Sequence, residues 1–133
     1  MIVADTNLVA YFLIPGERSV EAESVFRKDS EWVAPLLWRS EFRNVLAFHL
    51  RRSALSLEQA LEIVADAETL MQGREYSLPS DPIVRLVAGS ACSAYDCEFV
   101  ALAMELGVSL VTSDAKVLGA FGETAVSPLQ FAG

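Results

Sequence analysis

At 133 residues, 53% of them hydrophobic, the chain is long enough to close one sizeable core and too short to expect two. A net charge of −8 argues against gripping nucleic acid through bulk positive charge, while leaving room for local basic patches or a basic partner. Two cysteines, Cys92 and Cys97, are too few for a disulfide framework and match no zinc-ligand spacing, so they read as small core residues.

The chain opens "MIVADTN", a short apolar run that ends at once in Asp5, Thr6 and Asn7. Such a run reads as a buried strand over 2–4 whose C-terminal end delivers an acid and polar groups to a sheet edge, the place where open α/β sheets put their ligands. A helix is expected over 6–14, broken by "IPGE", then a helix over 20–28 and a strand over 32–34. The longest apolar stretch, residues 8–15, is far short of the roughly 20 residues that cross a bilayer, and no basic segment precedes it. A soluble, cytoplasmic protein is the expectation.

Two longer helices follow, "PLLWRSEFRNVLAFHLRR", with a proline near its start, and "SLEQALEIVADAETLMQG", with Ser56 as N-cap and Gly73 just past its end. "SDPIVRLVAGSA" and "SAYDCEFVALAMELG" read as two more, the second stopped by Gly107. "VSLVTSD" repeats the opening pattern of an apolar strand ending in polar residues and an acid, and a last short strand is expected near 124–126. Without repeats or a low-complexity linker, residues 1–133 form one unit. The alternation of strands and helices predicts an α/β fold, a parallel sheet of about four or five strands covered on both faces.

Several carboxylates are out of place in this pattern. At about 100° per residue, Leu37, Val45 and Phe48 lie close to Glu41 around its helix, so Glu41 falls on an apolar face and needs a partner. Asp96 shares a face with Cys92, Val100 and Ala103, whereas Glu98 and Glu105 are expected to project to water. With Asp5 and Asp114 at two strand ends, four acids from distant parts of the chain can meet in one crevice. Like charges in a shared site repel, and an all-oxygen set is best neutralised by a hard divalent cation, Mg²⁺ or Mn²⁺.

Each residue also has a simpler reading. Ser93 and Asp96 fit a capping box, and Asp5 and Asp114 fit helix caps; Glu41 has no such role. His49, the lone histidine, reads as structural. Arg39, Arg43, Arg51 and Arg52 put four of ten basic residues on one helix, either as a solvated face or as contacts to phosphates, Arg39 and Arg43 being the candidates.

The order "VADTN", "PLLWRSEFRNVL", "SAYDCEFVALA", "LVTSD" resembles the PIN-domain family, most closely the VapC-like ribonuclease toxins of bacterial toxin-antitoxin pairs, over essentially the whole chain. The resemblance implies a three-layer PIN-like fold in which Asp5, Glu41, Asp96 and Asp114 hold one or two Mg²⁺ or Mn²⁺ ions, with Thr6, Asn7 and Ser113 steadying the site. It further implies an endoribonuclease leaving 5′-phosphates, a homodimer, and a small antitoxin that covers the active site. The family often has serine where this chain has Asn7, and some members have a further acid where it has Ala115 and Lys116. An RNA-processing nuclease without an antitoxin and a catalytically silent PIN binding module are the competing readings. A phosphatase or phospho-receiver domain would need a second acid beside Asp5, which "DTN" lacks.

Overall fold

The computed structural model describes residues 1–133. Its elements run β1 (Ile2–Ala4), α1 (Thr6–Leu13), α2 (Ser19–Lys28), β2 (Trp32–Pro35), α3 (Trp38–Arg51), α4 (Leu57–Leu70), β3 (Glu75–Tyr76), α5 (Ser80–Ala88), α6 (Ala94–Leu106), β4 (Leu110–Val111), α7 (Ala115–Ala120), β5 (Ala125–Val126) and α8 (Pro128–Ala132). Five parallel strands form one sheet in the order β3-β2-β1-β4-β5, as the alternating pattern predicts. Strands β1, β2 and β4 are buried along their whole length, which is why they are continuous apolar runs.

The strand order carries the functional consequence. From β1 the chain steps outward to β2 and β3, then crosses back to β4 and β5 on the other side. Right-handed crossovers running in opposite directions put their helices on opposite faces, α1 to α4 on one and α5 to α7 on the other. The reversal leaves a crevice at the C-terminal ends of β1 and β4, the position that ligands take in open parallel sheets. Val3 pairs with Leu110 and Ala4 with Val111, so the two strand ends stand side by side.

A single cluster of 29 buried residues fills the interior. Phe12, Phe26 and Trp32 pack ring against ring, with Phe12 and Phe26 centroids 4.5 Å apart, and tie α1 and α2 to β2. Cys92 and Cys97 are free and buried. Ser56 and Gln59 complete a capping box at the start of α4, and Gly107 ends α6 at φ +66°, a conformation that disfavours any residue with a Cβ. No helix is long and apolar enough to cross a membrane.

Candidate active site

Asp5 follows β1 and Asp114 follows β4, so the sheet places both at its carboxyl edge. The Asp5 N–H donates to the Val111 carbonyl at 3.2 Å, continuing the ladder one residue past the strand. Thr112 connects the two acids. Its hydroxyl donates to Asp5 Oδ2 at 2.6 Å and accepts the Asp114 N–H at 3.1 Å, and the residue is only 2% exposed. Thr6, also buried, donates its hydroxyl to Glu41 Oε1 at 2.7 Å and so links the start of α1 to the first turn of α3. Asp96, in the first turn of α6, completes the group from the opposite face of the sheet.

Burial and neighbouring charge act on the Asp5 and Glu41 carboxyls in the same direction. Burial, reinforced by the charges of Asp114 and Asp96, pushes the Asp5 carboxyl above its ordinary pKa; the Thr112 hydroxyl and the Asn7 backbone N–H oppose the shift. Burial likewise raises Glu41, with the charges of Asp5, Asp96 and Glu98 adding to it and the Thr6 hydroxyl opposing. Every ion pair in the molecule lies elsewhere, so no Lys or Arg compensates any of the four acids.

That imbalance tests whether a cation fits. Asp5 Oδ1 and Glu41 Oε2 accept no well-formed protein hydrogen bond, yet no buried side-chain oxygen in the molecule lacks a partner, so both atoms open to the crevice. Uncompensated carboxylates with free oxygens, and no sulfur or imidazole beside them, are donors suited to a hard divalent ion. As they stand, no three His, Cys, Asp or Glu side chains are gathered closely enough to hold one. The donor chemistry fits a hard divalent cation.

The capping alternative divides by residue. Asp114 is a true N-cap, its Oδ1 accepting the Val117 N–H at 3.0 Å at the start of α7. Asp5 occupies the N-cap position of α1 but makes no side-chain cap bond. Ser93 caps α6 by accepting the Asp96 N–H at 3.1 Å, and the Asp96 carboxylate does not return the bond. Glu41 sits in the first turn of α3, which begins at Trp38 rather than at the proline, and the exposed Phe48 shows that its helix face lines a cleft instead of the core.

The remaining candidates fall unevenly. Thr6 is at the site, Asn7 is exposed beside it, and the steadying contact expected of Ser113 is made by its neighbour Thr112. "VTSD" held a signal for this residue, since a polar side chain directly after a buried strand needs a partner. Glu98 does not project freely to water: it is half-buried, its pKa is raised by burial, and its charge reaches Glu41. Arg39 is engaged structurally, pairing with Glu75 through Nε at 2.5 Å and Nη2 at 2.8 Å and with Glu68 at 3.0 Å. Glu75 also accepts the buried Trp38 indole N–H at 2.8 Å, so this cluster fastens the start of α3 to the edge strand β3. Arg43 is exposed and forms no ion pair.

A model of the PIN domain family matches residues 2–122. Ribonuclease VapC3 of Pyrobaculum aerophilum is 28% identical over 123 residues, spanning 90% of this chain and 94% of that protein. Among solved structures, PAE2754 of Pyrobaculum aerophilum superposes with a TM-score of 0.78 at 15% identity, over 98% of this chain and 92% of that one. FitAcB of Neisseria gonorrhoeae gives 0.72 at 17% identity over 97% and 99%, and FitAB bound to an IR36 DNA fragment gives 0.70 at 17% over 96% and 95%. The two strand ends that carry acids, the parallel sheet with its reversal between β1 and β4, and the match along nearly the whole length agree: the chain belongs to the PIN domain family.

Proposed function

We propose that this protein is a metal-dependent endoribonuclease, the toxin of a VapBC-type toxin-antitoxin pair, hydrolysing RNA phosphodiester bonds. The observation that carries the reading is the set of acids from four separate segments at the sheet's switch point, uncompensated by any basic residue, with Asp5 Oδ1 and Glu41 Oε2 free. Asp5, Glu41, Asp96 and Asp114 would hold one or two Mg²⁺ or Mn²⁺ ions. When bound, such an ion supplies acidification of a water molecule and neutralisation of charge on the phosphate. Thr112 fixes Asp5 Oδ2 and Thr6 fixes Glu41 Oε1, so each carboxylate is held by one oxygen and offers the other. The Asp114 cap bond does the same through Oδ1. The reading requires no side-chain nucleophile, since water activated by the ion attacks the phosphate.

The relative named as ribonuclease VapC3 supports an RNA substrate, and the FitAB neighbour on DNA supports a paired assembly with a second protein. A cognate antitoxin carrying basic side chains would suit a chain of net charge −8, and a homodimer in the cytoplasm completes the proposal. Purified protein freed of any partner is expected to cut single-stranded RNA with Mg²⁺ or Mn²⁺, leaving 5′-phosphates, and to stop on addition of EDTA. Undiminished cleavage after EDTA and exhaustive dialysis would overturn the metal-dependent reading.

A further inference from the structure

A cleft of about 520 Å³ lies beside the acids, between α1, the loop after it, and α3. Its volume is in the range of small-ligand sites. Asn7 and Asn44 project from its two helices, one residue past Thr6 and one helical turn past Glu41. Both asparagines are exposed, and the side-chain hydrogen bonds around the cleft run between other groups, so the two amides stand free. Arg18 lays its guanidinium over the Tyr11 ring at 4.6 Å from the centroid, held there by Tyr11 Oη and by Glu21. Phe48, 52% exposed, offers a second apolar plane at the rim.

From this arrangement we infer that the cleft receives the unpaired base of a nucleotide next to the bond to be cut, with Asn44 and Asn7 reading its edge. The inference rests on the ribonuclease reading and adds how that site selects RNA. Free amides carry both donors and acceptors, the chemistry that distinguishes base edges, and bases splayed from single strands stack on aromatic rings and on guanidinium planes. Charge narrows the choice of occupant. With a net charge of −8, acids next door, and Arg18 already paired with Glu21, the cleft is poorly made for a phosphate and well made for a neutral base. Ala10, Ile14, Pro15 and Val45 give the cleft an apolar floor on which the plane of a base can lie, whereas a wholly apolar anchor from a protein partner seated there would leave the two unpartnered amides desolvated.

The test is cleavage of a randomised, unstructured RNA pool with Mg²⁺, reading the base preference around the cut and kcat/KM. Wild type is compared with Asn44→Ala, Asn44→Asp and Phe48→Ala, and with Gln72→Ala, an exposed residue far from the cleft, as control. Asn44→Ala should flatten the preference at one position beside the cut, and Asn44→Asp should change which base is preferred there. Phe48→Ala should lower kcat/KM about tenfold, chiefly through KM, across all sequences. Both side chains are exposed, so these variants should melt as wild type does. Active wild type whose preference and KM are unmoved by all three changes overturns the inference and leaves the ribonuclease reading standing. Variants that keep cleavage and preference but escape inhibition by a protein partner would assign the cleft to that partner and also overturn it. Wild type that cuts no RNA overturns both.

Discussion

Asp5→Asn separates charge from hydrogen bonding at the centre of the site. The amide keeps an oxygen to accept the Thr112 hydroxyl, now 2.6 Å from Oδ2, and places an N–H₂ where the free oxygen faces the other acids. What is lost is a buried charge repelled by Asp114 and Asp96 and paired with no basic residue. Removing such strain at a functional site stabilises by about 0.5–2 kcal/mol. For a chain of this size that is about 2–8 °C in melting temperature. In EDTA at pH 7 the variant should therefore melt higher than wild type. Metal should reverse the order, because an ion at a hundred times its Kd stabilises the native protein that binds it by about 2.7 kcal/mol and the variant by much less. The assay is differential scanning calorimetry of both proteins across a Mg²⁺ titration, in which the two melting curves should cross. A variant that melts lower than wild type in EDTA, and rises equally with Mg²⁺, would show that the Asp5 charge is held by attraction and would refute the argument.

The metal-free protein should lose stability as pH rises from about 4 toward neutrality, because Asp5, Glu41 and Glu98 have raised pKa values and keep protons that the unfolded chain has already released. Urea unfolding in EDTA across that range checks this, and Asp5→Asn should flatten the slope. Thr6→Val removes the 2.7 Å hydrogen bond to Glu41 while keeping side-chain shape, so it should lower stability by about 1–2 kcal/mol and weaken Mg²⁺ binding measured by calorimetry. Arg39→Ala should lower the melting temperature, since it frees Glu75 and Glu68, and leave the salt dependence of RNA binding intact. Arg43→Ala should do the opposite, with a salt slope reduced by about 0.7 in fluorescence anisotropy titrations.

The sequence made the sheet and the acidic strand ends legible because β1, β2 and β4 are buried on both faces and therefore uninterrupted apolar runs. Elements too short to show a period escaped. β3 is two residues long and holds its place through Glu75 and its pairing with β2, while α7 and α8 have six and five residues. Helix-face angles put Asp96 on the side of α6 that lines a small cavity with Asp5, but misjudged Glu98, because the angle around one helix does not tell which neighbouring element covers a face. Glu98 is half-buried, and its charge acts on Glu41. Arg39 posed the same difficulty: its partners Glu68 and Glu75 are far away in the chain, and only the docking of α4 and β3 against α3 brings them together. Thr112 was overlooked for its neighbour Ser113 by one position at a strand end, where alternation stops being a guide to direction.

The central claim is that carboxylates at the switch point between β1 and β4 make this chain a metal-dependent ribonuclease, and Glu41 tests it most directly because it caps no helix. Cleavage of a single-stranded RNA by wild type and by Glu41→Gln should be followed as Mg²⁺ is titrated from zero. The account predicts cleavage by wild type that requires the ion and reaches a plateau, and loss of cleavage by at least a hundredfold in Glu41→Gln with the fold intact by circular dichroism. Full, metal-dependent cleavage by Glu41→Gln would contradict it.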